Sequence, residues 1–432
     1  MKSQLLKYSL SLLLALSLNA KETYTVDELI LEALKNSPDL KISSSQYSAS
    51  KERLSVATSD YLPRVDLQVG IGQTGMSDIP TNPDDMVTDN LMLGRLSLKQ
   101  IIYDFGKTGG NVDLYKYDSA SYSMANEQQV SDKIRDVKNA YYNVLQAISI
   151  IKVNEENVKL NESQLHRSQK YFDAGIRTRI DISDAKVELI KSKLNLKKSL
   201  YDLKLSYAAL DKVVGFMDTE LKYNVYSGEV DLNNLYCTLS DYDLTLIQAI
   251  EFAYENRYTL KQYMAQIKSA EAKRSISSSQ YYPALYLGAD YTKQKPDEFK
   301  TSAPEDQWQA SVNIDWNIYQ GGATSADTQE KQILIEKSKL EMQNSKLAIK
   351  KETTQAFINL YKAKDSVELS QNLLEVSAEK FDQAGKRYEY GLSDYIELQQ
   401  ARQGYIDSKA SLVVDYYNYY SAVAVLDNAI GK

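Results

Sequence analysis

The chain has one cysteine and one histidine in 432 residues. With Cys237 alone no internal disulfide can form. With His166 alone an ordinary zinc site is short of donors, since it needs at least one more His or Cys. A solvated helix-face position is the simpler reading of that histidine. Beyond the N-terminus no apolar stretch approaches the ~20 residues of a membrane helix. Phenylalanine is scarce at 7 residues, whereas tyrosine reaches 34. An amphipathic ring suits half-wet surfaces such as interfaces and membrane belts. The spacing Gly70-x-Gly72-x-x-Gly75 matches a dinucleotide fingerprint, but Pro80 and Pro83 follow where a helix is required, so these read as strand glycines. There is no phosphate-loop lysine motif, no Cys-Cys metal spacing and no catalytic constellation. Neither an enzyme nor a cofactor or metal protein is expected.

The N-terminus has what a secretory signal needs. Lys2 and Lys7 give a positive start, Leu10 to Leu18 an apolar run and Ala20 a cleavage point, with cleavage after Ser17 as the alternative. An uncleaved anchor is disfavoured because the run is too short to span a bilayer. Removing residues 1–20 deletes two lysines and takes the formal charge from -7 to -9, which argues against nucleic acid as a partner.

The rest is written twice. Tyr61-Leu62-Pro63 recurs 220 residues later as Tyr281-Tyr282-Pro283. Gly175 recurs as Gly391, and Leu210-Asp211 with Gly215 as Leu426-Asp427 with Gly431, all 216 residues later. A unit this long is a duplicated half-protein rather than a solenoid repeat. The boundaries read as a first repeat at 21–215, an inter-repeat segment at 216–243 with weak strand-and-loop signals, and a second repeat at 244–432.

All 7 prolines lie at or before 83 or between 283 and 304. From Asn111 to Ala174, and from Ala323 to Ala384, there is neither glycine nor proline. Such runs, rich in Lys, Glu, Ala, Leu and Gln, are long helices. Val144, Ile151, Val158, Leu165 and Phe172 are spaced by seven, and so are their mates Leu360, Val367, Leu374, Phe381 and Tyr388. A second ladder runs Ile182, Leu189, Leu196, Leu203 and Leu210, with mates Leu398, Tyr405, Leu412, Tyr419 and Leu426. Four ladders of period seven predict supercoiled helices. Each repeat therefore carries a helical hairpin, about 107–214 with its tip at Gly175 and about 322–430 with its tip at Gly391. Thr178, Asp181, Ser393 and Asp394 are available to start the returning helices.

Before each hairpin the period changes to two. Trp308, Ala310, Val312, Ile314, Trp316 and Ile318 alternate with Gln309, Ser311, Asn313, Asp315 and Asn317. Strands with one apolar and one polar face are expected in pairs at about 62–104 and 283–320, with a phase slip near Gly94-Arg95. Polar loops at 77–90 and 295–307 join each pair. Helical segments at 26–60 and 244–280, with capping candidates Thr25 and Asp243, precede them. Trp308, Val312, Ile314, Trp316 and Ile318 are the expected lipid-facing residues. Four such strands cannot close a membrane barrel, which needs eight or more. An open edge in lipid leaves backbone groups unpaired. Two copies would give eight strands and three copies twelve.

The acids after the tips are candidate gate residues. Asp181 and Glu397 each lie six residues past a tip glycine, and Asp184 has Gln400 as its mate. One carboxylate per helix in a ring would make a cation-selecting collar. The alternative is first-turn acids favoured by the helix dipole.

The order of helix, strand pair and long hairpin, given twice behind a signal, resembles the TolC-type outer-membrane efflux and secretion channels. Further marks are Tyr103-Asp104-Phe105-Gly106 and Tyr319-Gln320-Gly321-Gly322 leaving strands, Phe172-x-x-Gly175 with Ile180-Asp181-Ile182 and Ala185, and Arg387-Tyr388-x-x-Gly391 with Ile396-Glu397-Leu398 and Ala401. The resemblance implies an α+β membrane protein, a homotrimer with a 12-stranded β-barrel in the outer membrane on a 12-helix α-barrel in the periplasm. It implies a passive duct for efflux or type I secretion, opened by a periplasmic adaptor and an inner-membrane transporter. At the second tip it implies that an aromatic residue, a base and acids restrain the closed aperture. Tyr388 matches the aromatic and Glu397 one acid, while the basic position falls on Ser393 and the second acid on Gln400. Asp181 matches the acid of the first tip. The rival reading from the residues alone is a periplasmic coiled-coil adaptor or a surface structural protein without a pore.

Overall fold

The structure, a computed structural model, describes residues 22–77, 86–217, 223–226, 239, 242–296 and 305–432. Cys237 and parts of the two strand-joining loops lie outside the described residues. In chain order the first repeat runs β1 (Glu22–Tyr24), α1 (Val26–Asn36), α2 (Pro38–Ser59), β2 (Arg64–Ser77), β3 (Met86–Tyr103), α3 (Lys107–Asp173) and α4 (Arg179–Val214). After β4 (Tyr223–Val225) come α5 (Leu246–Asn256), α6 (Tyr258–Ser279), β5 (Ala284–Pro296), β6 (Asp306–Asp315), α7 (Ala323–Glu389) and α8 (Tyr395–Ile430). In the helices the duplication holds to the residue. Both α3 and α7 have 67 residues, and both α4 and α8 have 36. At ~1.5 Å per residue the longer pair reaches about 100 Å.

Several expectations are corrected. The segments at 26–60 and 244–280 are each two helices. Pro38 opens α2 and holds Ser37 in an extended conformation, as a residue before proline must be. Arg257 makes the equivalent break without proline. Thr245, not Asp243, caps α5: its hydroxyl oxygen accepts from the Gln248 amide while the Gln248 side chain accepts from the Thr245 amide, the reciprocal box that Thr25 and Glu28 also form. Strands β2, β3, β5 and β6 all extend into the stretches expected as loops, because their pairing continues there. The slip near Gly94-Arg95 does not occur; the register shifts between Ile101 and Tyr103. Strand β6 ends at Asp315, so Trp316 and Ile318 lie beyond it. His166 is exposed on α3.

By chain segments the molecule forms two compact units. One comprises the chain up to Ile42, Glu127–Tyr258 and Lys346–Lys432. Its core sets Leu29 and Ala33 of α1 against Val137, Tyr141 and Val144 of α3, Leu210 and Val214 of α4, and Tyr223 and Val225 of β4. Strand β4 pairs in parallel with β1. Most ladder rungs are buried, among them Val144, Ile151, Val158, Leu360, Val367, Tyr388, Leu412 and Leu426. Phe172, the last rung of α3, is exposed. Small residues bring α7 and α8 together: Ser377 and Ser408 share a hydrogen bond of 2.6 Å, and Ser370 donates to Asp415.

The other unit comprises Ser43–Asn126 and Thr259–Ser345. It holds one antiparallel sheet in the order β2-β3-β5-β6, so the two repeats meet at β3–β5 and both outer strands are edges. Gly110 lies within α3, where a Cβ would come 2.8 Å from Ile276 of α6, so these helices approach closely.

The caps of α4 and α8 explain two of the repeated glycines. Gly215 has φ 89° and Gly431 φ 81°. A Cβ on Gly215 would lie 3.0 Å from the Asn36 carbonyl oxygen, and one on Gly431 3.1 Å from the Arg257 nitrogen. Gly215→Ala combines left-handed strain with a backbone clash, each about 1–2 kcal/mol. A thermal midpoint lowered by several degrees is expected in the purified protein; an unchanged midpoint would show that the junction yields without cost.

Candidate functional site

The two helical turns are the same motif built twice. At the end of α3, Gly175 takes φ 72°, its amide donates to the Phe172 carbonyl at 2.9 Å, and Ile176 donates to the Tyr171 carbonyl at 2.9 Å. At the end of α7, Gly391 takes φ 74°, donating to Tyr388 at 3.2 Å while Leu392 donates to Arg387 at 2.8 Å. This pair of bonds satisfies helix-end carbonyls and needs a left-handed residue, which glycine supplies at least cost. The returning helices start differently. Asp394 caps α8 by accepting from the Glu397 amide at 2.8 Å. Thr178 makes no side-chain cap bond; its hydroxyl donates to Asp181 at 3.3 Å.

Between the turns sits Arg177. Its guanidinium lies 4.7 Å from the centre of the Tyr388 ring. It donates to the carbonyl oxygens of Ser393 at 3.1 Å and Tyr388 at 3.4 Å. Carbonyls at a helix C-terminus carry partial negative charge, so a cation there gains from the dipole as well as the ring. Tyr388 is 1% exposed. Its ring centre is 6.2 Å from that of Tyr171 and 6.3 Å from that of Tyr395. Ala185, Ala384, Leu398 and Ala401 complete the cluster. Burial pushes the Tyr388 and Tyr395 hydroxyls above the usual phenol range, so both stay neutral at physiological pH.

The acids expected at the turns are divided among separate partners. Glu397 is 3.2 Å from Arg387 in an ion pair. Asp181 is held by Thr178, Asp184 is half-buried on α4, and Gln400 is exposed on α8. Ser393 offers Arg177 its carbonyl, while its own hydroxyl is buried without a partner. The cation that meets Ser393 is Arg177, a residue that sequence reading overlooked. A signal was available: Arg177 is the repeat-mate of Ser393, 216 residues earlier. The positive charge occupies the same place on the opposite turn.

The second candidate surface is the sheet. Cross-strand partners share a face, so Leu67, Leu96, Tyr291 and Trp308 form one row, and Val65, Leu98, Ala289 and Ala310 the next. Trp308, Val312 and Ile314 continue this apolar face along β6 and are bare in the single chain. Trp316 and Ile318 are exposed just past the strand, with the Trp316 indole N–H donating to the Tyr281 carbonyl at 3.2 Å. The opposite face carries Arg64 paired with Asp66 at 3.0 Å, Arg95 paired with Asp290 at 2.9 Å, and Lys99 stacked 4.4 Å above Tyr286. Among the described residues no group of His, Cys, Asp and Glu could hold a metal, and no helix is long and apolar enough to cross a membrane.

Removing the Arg177 guanidinium, as in Arg177→Met, deletes the cation–ring contact and both carbonyl contacts. Amide hydrogen exchange at residues 391–394 should accelerate roughly tenfold, the effect of losing about 1–1.5 kcal/mol of local protection. Unchanged exchange would mean that the turns hold together without the guanidinium.

Comparison with known proteins fits this architecture. The profile of a family described as Outer membrane efflux protein matches residues 29–216 and 249–432, one block per repeat. Outer membrane protein TolC of Escherichia coli is 20% identical over 447 residues, covering 99% of this chain and 87% of that one. Outer membrane protein TolC of Vibrio cholerae is 24% identical over 210 residues, covering 48% of each chain, so this match spans about half the relative's length. Among solved structures, CusC gives a TM-score of 0.81 at 16% identity, covering 94% of this chain and 92% of that one. The CmeC outer membrane channel of Campylobacter jejuni also gives 0.81 at 16% identity, covering 94% and 85%.

Proposed function

Because the chain belongs to the outer membrane efflux protein family, we propose that it is the passive exit duct of a tripartite efflux or type I secretion system, assembled as a homotrimer and opened by a periplasmic adaptor and an inner-membrane transporter. The observation that carries this reading is the sheet. It has an apolar face, a polar face and two unpaired edges, β2 and β6. In hydrocarbon those edges must find partners. Three copies supply twelve strands, well above the minimum of eight for a closed barrel. The polar face then lines water and the apolar face meets lipid.

The helices support the same copy-to-copy contact. Val187, Leu194 and Tyr201 form an exposed stripe of period seven on α4, and Leu369 and Val376 are exposed seven residues apart on α7 at a similar distance from its turn. An apolar heptad stripe without a partner is half of a coiled-coil seam. Contact of an α4 stripe with the α7 stripe of another copy is head-to-tail, the kind of interface that closes into a ring. Three copies give a wall of twelve helices. A soluble adaptor or fibre, the rival reading, leaves the apolar sheet face without a use.

At the turns, Arg177 clasps the two hairpins of one chain, and Asp181 and Glu397 contribute the acidic collar. The duct contains no energy-coupling motif, so opening must be driven by its partners. Purified protein in a planar bilayer should give discrete, long-lived ion conductance; a preparation that remains monomeric and silent would overturn the reading. Asp181→Asn combined with Glu397→Gln should lower the cation-to-anion permeability ratio by about twofold or more. An unchanged reversal potential would reduce these acids to helix-start residues. Arg177→Ala should raise single-channel conductance by freeing one hairpin from the other, and a conductance equal to the parent's would exclude the clasp as a restraint.

A further inference from the structure

The apolar face of the sheet does not end as it should for a purely hydrocarbon-facing surface. Toward the helix-proximal end it closes with aromatics: Tyr103, Phe105, Tyr282 and Trp316 are exposed, with Phe105 and Tyr282 stacked at 4.9 Å. Toward the far end it closes with the cross-strand pair Tyr291 and Trp308. From Trp316 to Trp308 the chain advances eight residues, about 27 Å at the rise of an extended strand, which at a tilt of about 40° covers about 20 Å of the ~25 Å apolar band of an outer-membrane barrel. Beyond Tyr291 and Trp308 the same face carries Lys293 and then Lys295.

These lysines share rows with apolar neighbours. Lys295 pairs with Met92, which pairs with Ile71; Lys293 pairs with Gly94, which pairs with Val69. Ile71, Val69 and Met92 are all exposed. Two cations therefore stand on the lipid-directed face, one step past its aromatic border. Gly94 leaves a notch beside them, where an added Cβ would meet only the Lys293 carbonyl oxygen, at 3.8 Å. Lys293 is positioned by Asp306 at 3.4 Å, and Asp306 in turn accepts from the Tyr291 hydroxyl at 2.8 Å. Lys295 is exposed and forms no ion pair among the described residues. A long cationic chain at this depth extends its stem along apolar neighbours and its ammonium into the headgroup layer. The group with complementary charge in that layer is a phosphate.

We infer that Lys293 and Lys295, with Tyr291 and Trp308 beneath them and the Gly94 notch beside them, form a binding site for the phosphorylated headgroup of a membrane lipid in the leaflet at the far end of the sheet. The inference depends on the membrane-spanning reading of the sheet. The phosphate pairs with the two ammonium groups, and the acyl chains lie along Leu67, Leu96 and Val65, in the rows from the ring pair inward. The ring pair marks the level where the chains begin. Asp306 keeps Lys293 upright and limits the site to an anion that both lysines can share.

The test uses the full chain in mild detergent, with lipid retention counted by native mass spectrometry. The probes are a bisphosphorylated glycolipid, the same glycolipid without phosphates, and inorganic phosphate. Lys295→Gln leaves the Asp306 pair intact, and Lys293→Gln with Lys295→Gln removes both cations. The parent should bind the phosphorylated lipid about fivefold more tightly than the single variant and about twentyfold more tightly than the double variant, with no difference for the dephosphorylated lipid. Equal binding by parent and variants would overturn the site. Displacement of the lipid by inorganic phosphate at matching concentration would also overturn it, leaving a free-anion site. Quenching of Trp308 and Trp316 by brominated acyl chains separates the two levels: quenching with equal lipid binding sinks only the headgroup site, whereas no quenching sinks the membrane reading beneath it.

Discussion

A peptide edge cannot be left bare in hydrocarbon. Each unpaired N–H or carbonyl there costs several kcal/mol, and β2 and β6 each present a row of them. One chain supplies four strands with an apolar face and no means of sealing itself. On the proposed reading, assembly is a condition for the sheet to exist in the membrane, not a later regulatory step. The duplication follows the same logic. Two similar halves meet at β3–β5, where Arg95 and Asp290 pair across the junction, so the joint inside a chain has the form of the joint proposed between chains.

The turns show how a duplicated scaffold can redistribute a charge. Arg177 and Ser393 occupy equivalent places on the two hairpins, and the residue with the charge reaches across to the one without. Its partners are a ring face and two carbonyl oxygens instead of a carboxylate. The buried Tyr388 hydroxyl, pushed above the usual phenol range, keeps its proton near neutral pH. The carboxylates take other partners. Glu397 engages Arg387 along its own hairpin, and Asp181 engages Thr178.

Much of the fold was legible because its signals are long and repeated. Helices of 67 residues announce themselves by what they lack, and the glycine caps fall at the same offset in both halves. Even the drop in offset from 220 to 216 has a place, since it falls between β2 or β5 and the strand that follows. The break at Arg257 was hidden because no proline marks it. Its cause is tertiary: the guanidinium donates to the Asn428 and Ala429 carbonyls and pairs with Glu352. Register is likewise set by pairing, so the slip at Ile101 and the early end of β6 at Asp315 could not be placed from alternation alone. The clasp was missed because the second turn was read for a base and the first was not.

The central claim is that single chains pool their sheets. The mass of the full-length protein released intact from detergent tests it most directly. The account predicts a complex of three copies that persists until the sheet itself melts. A species of one chain that still conducts ions in a bilayer would contradict it.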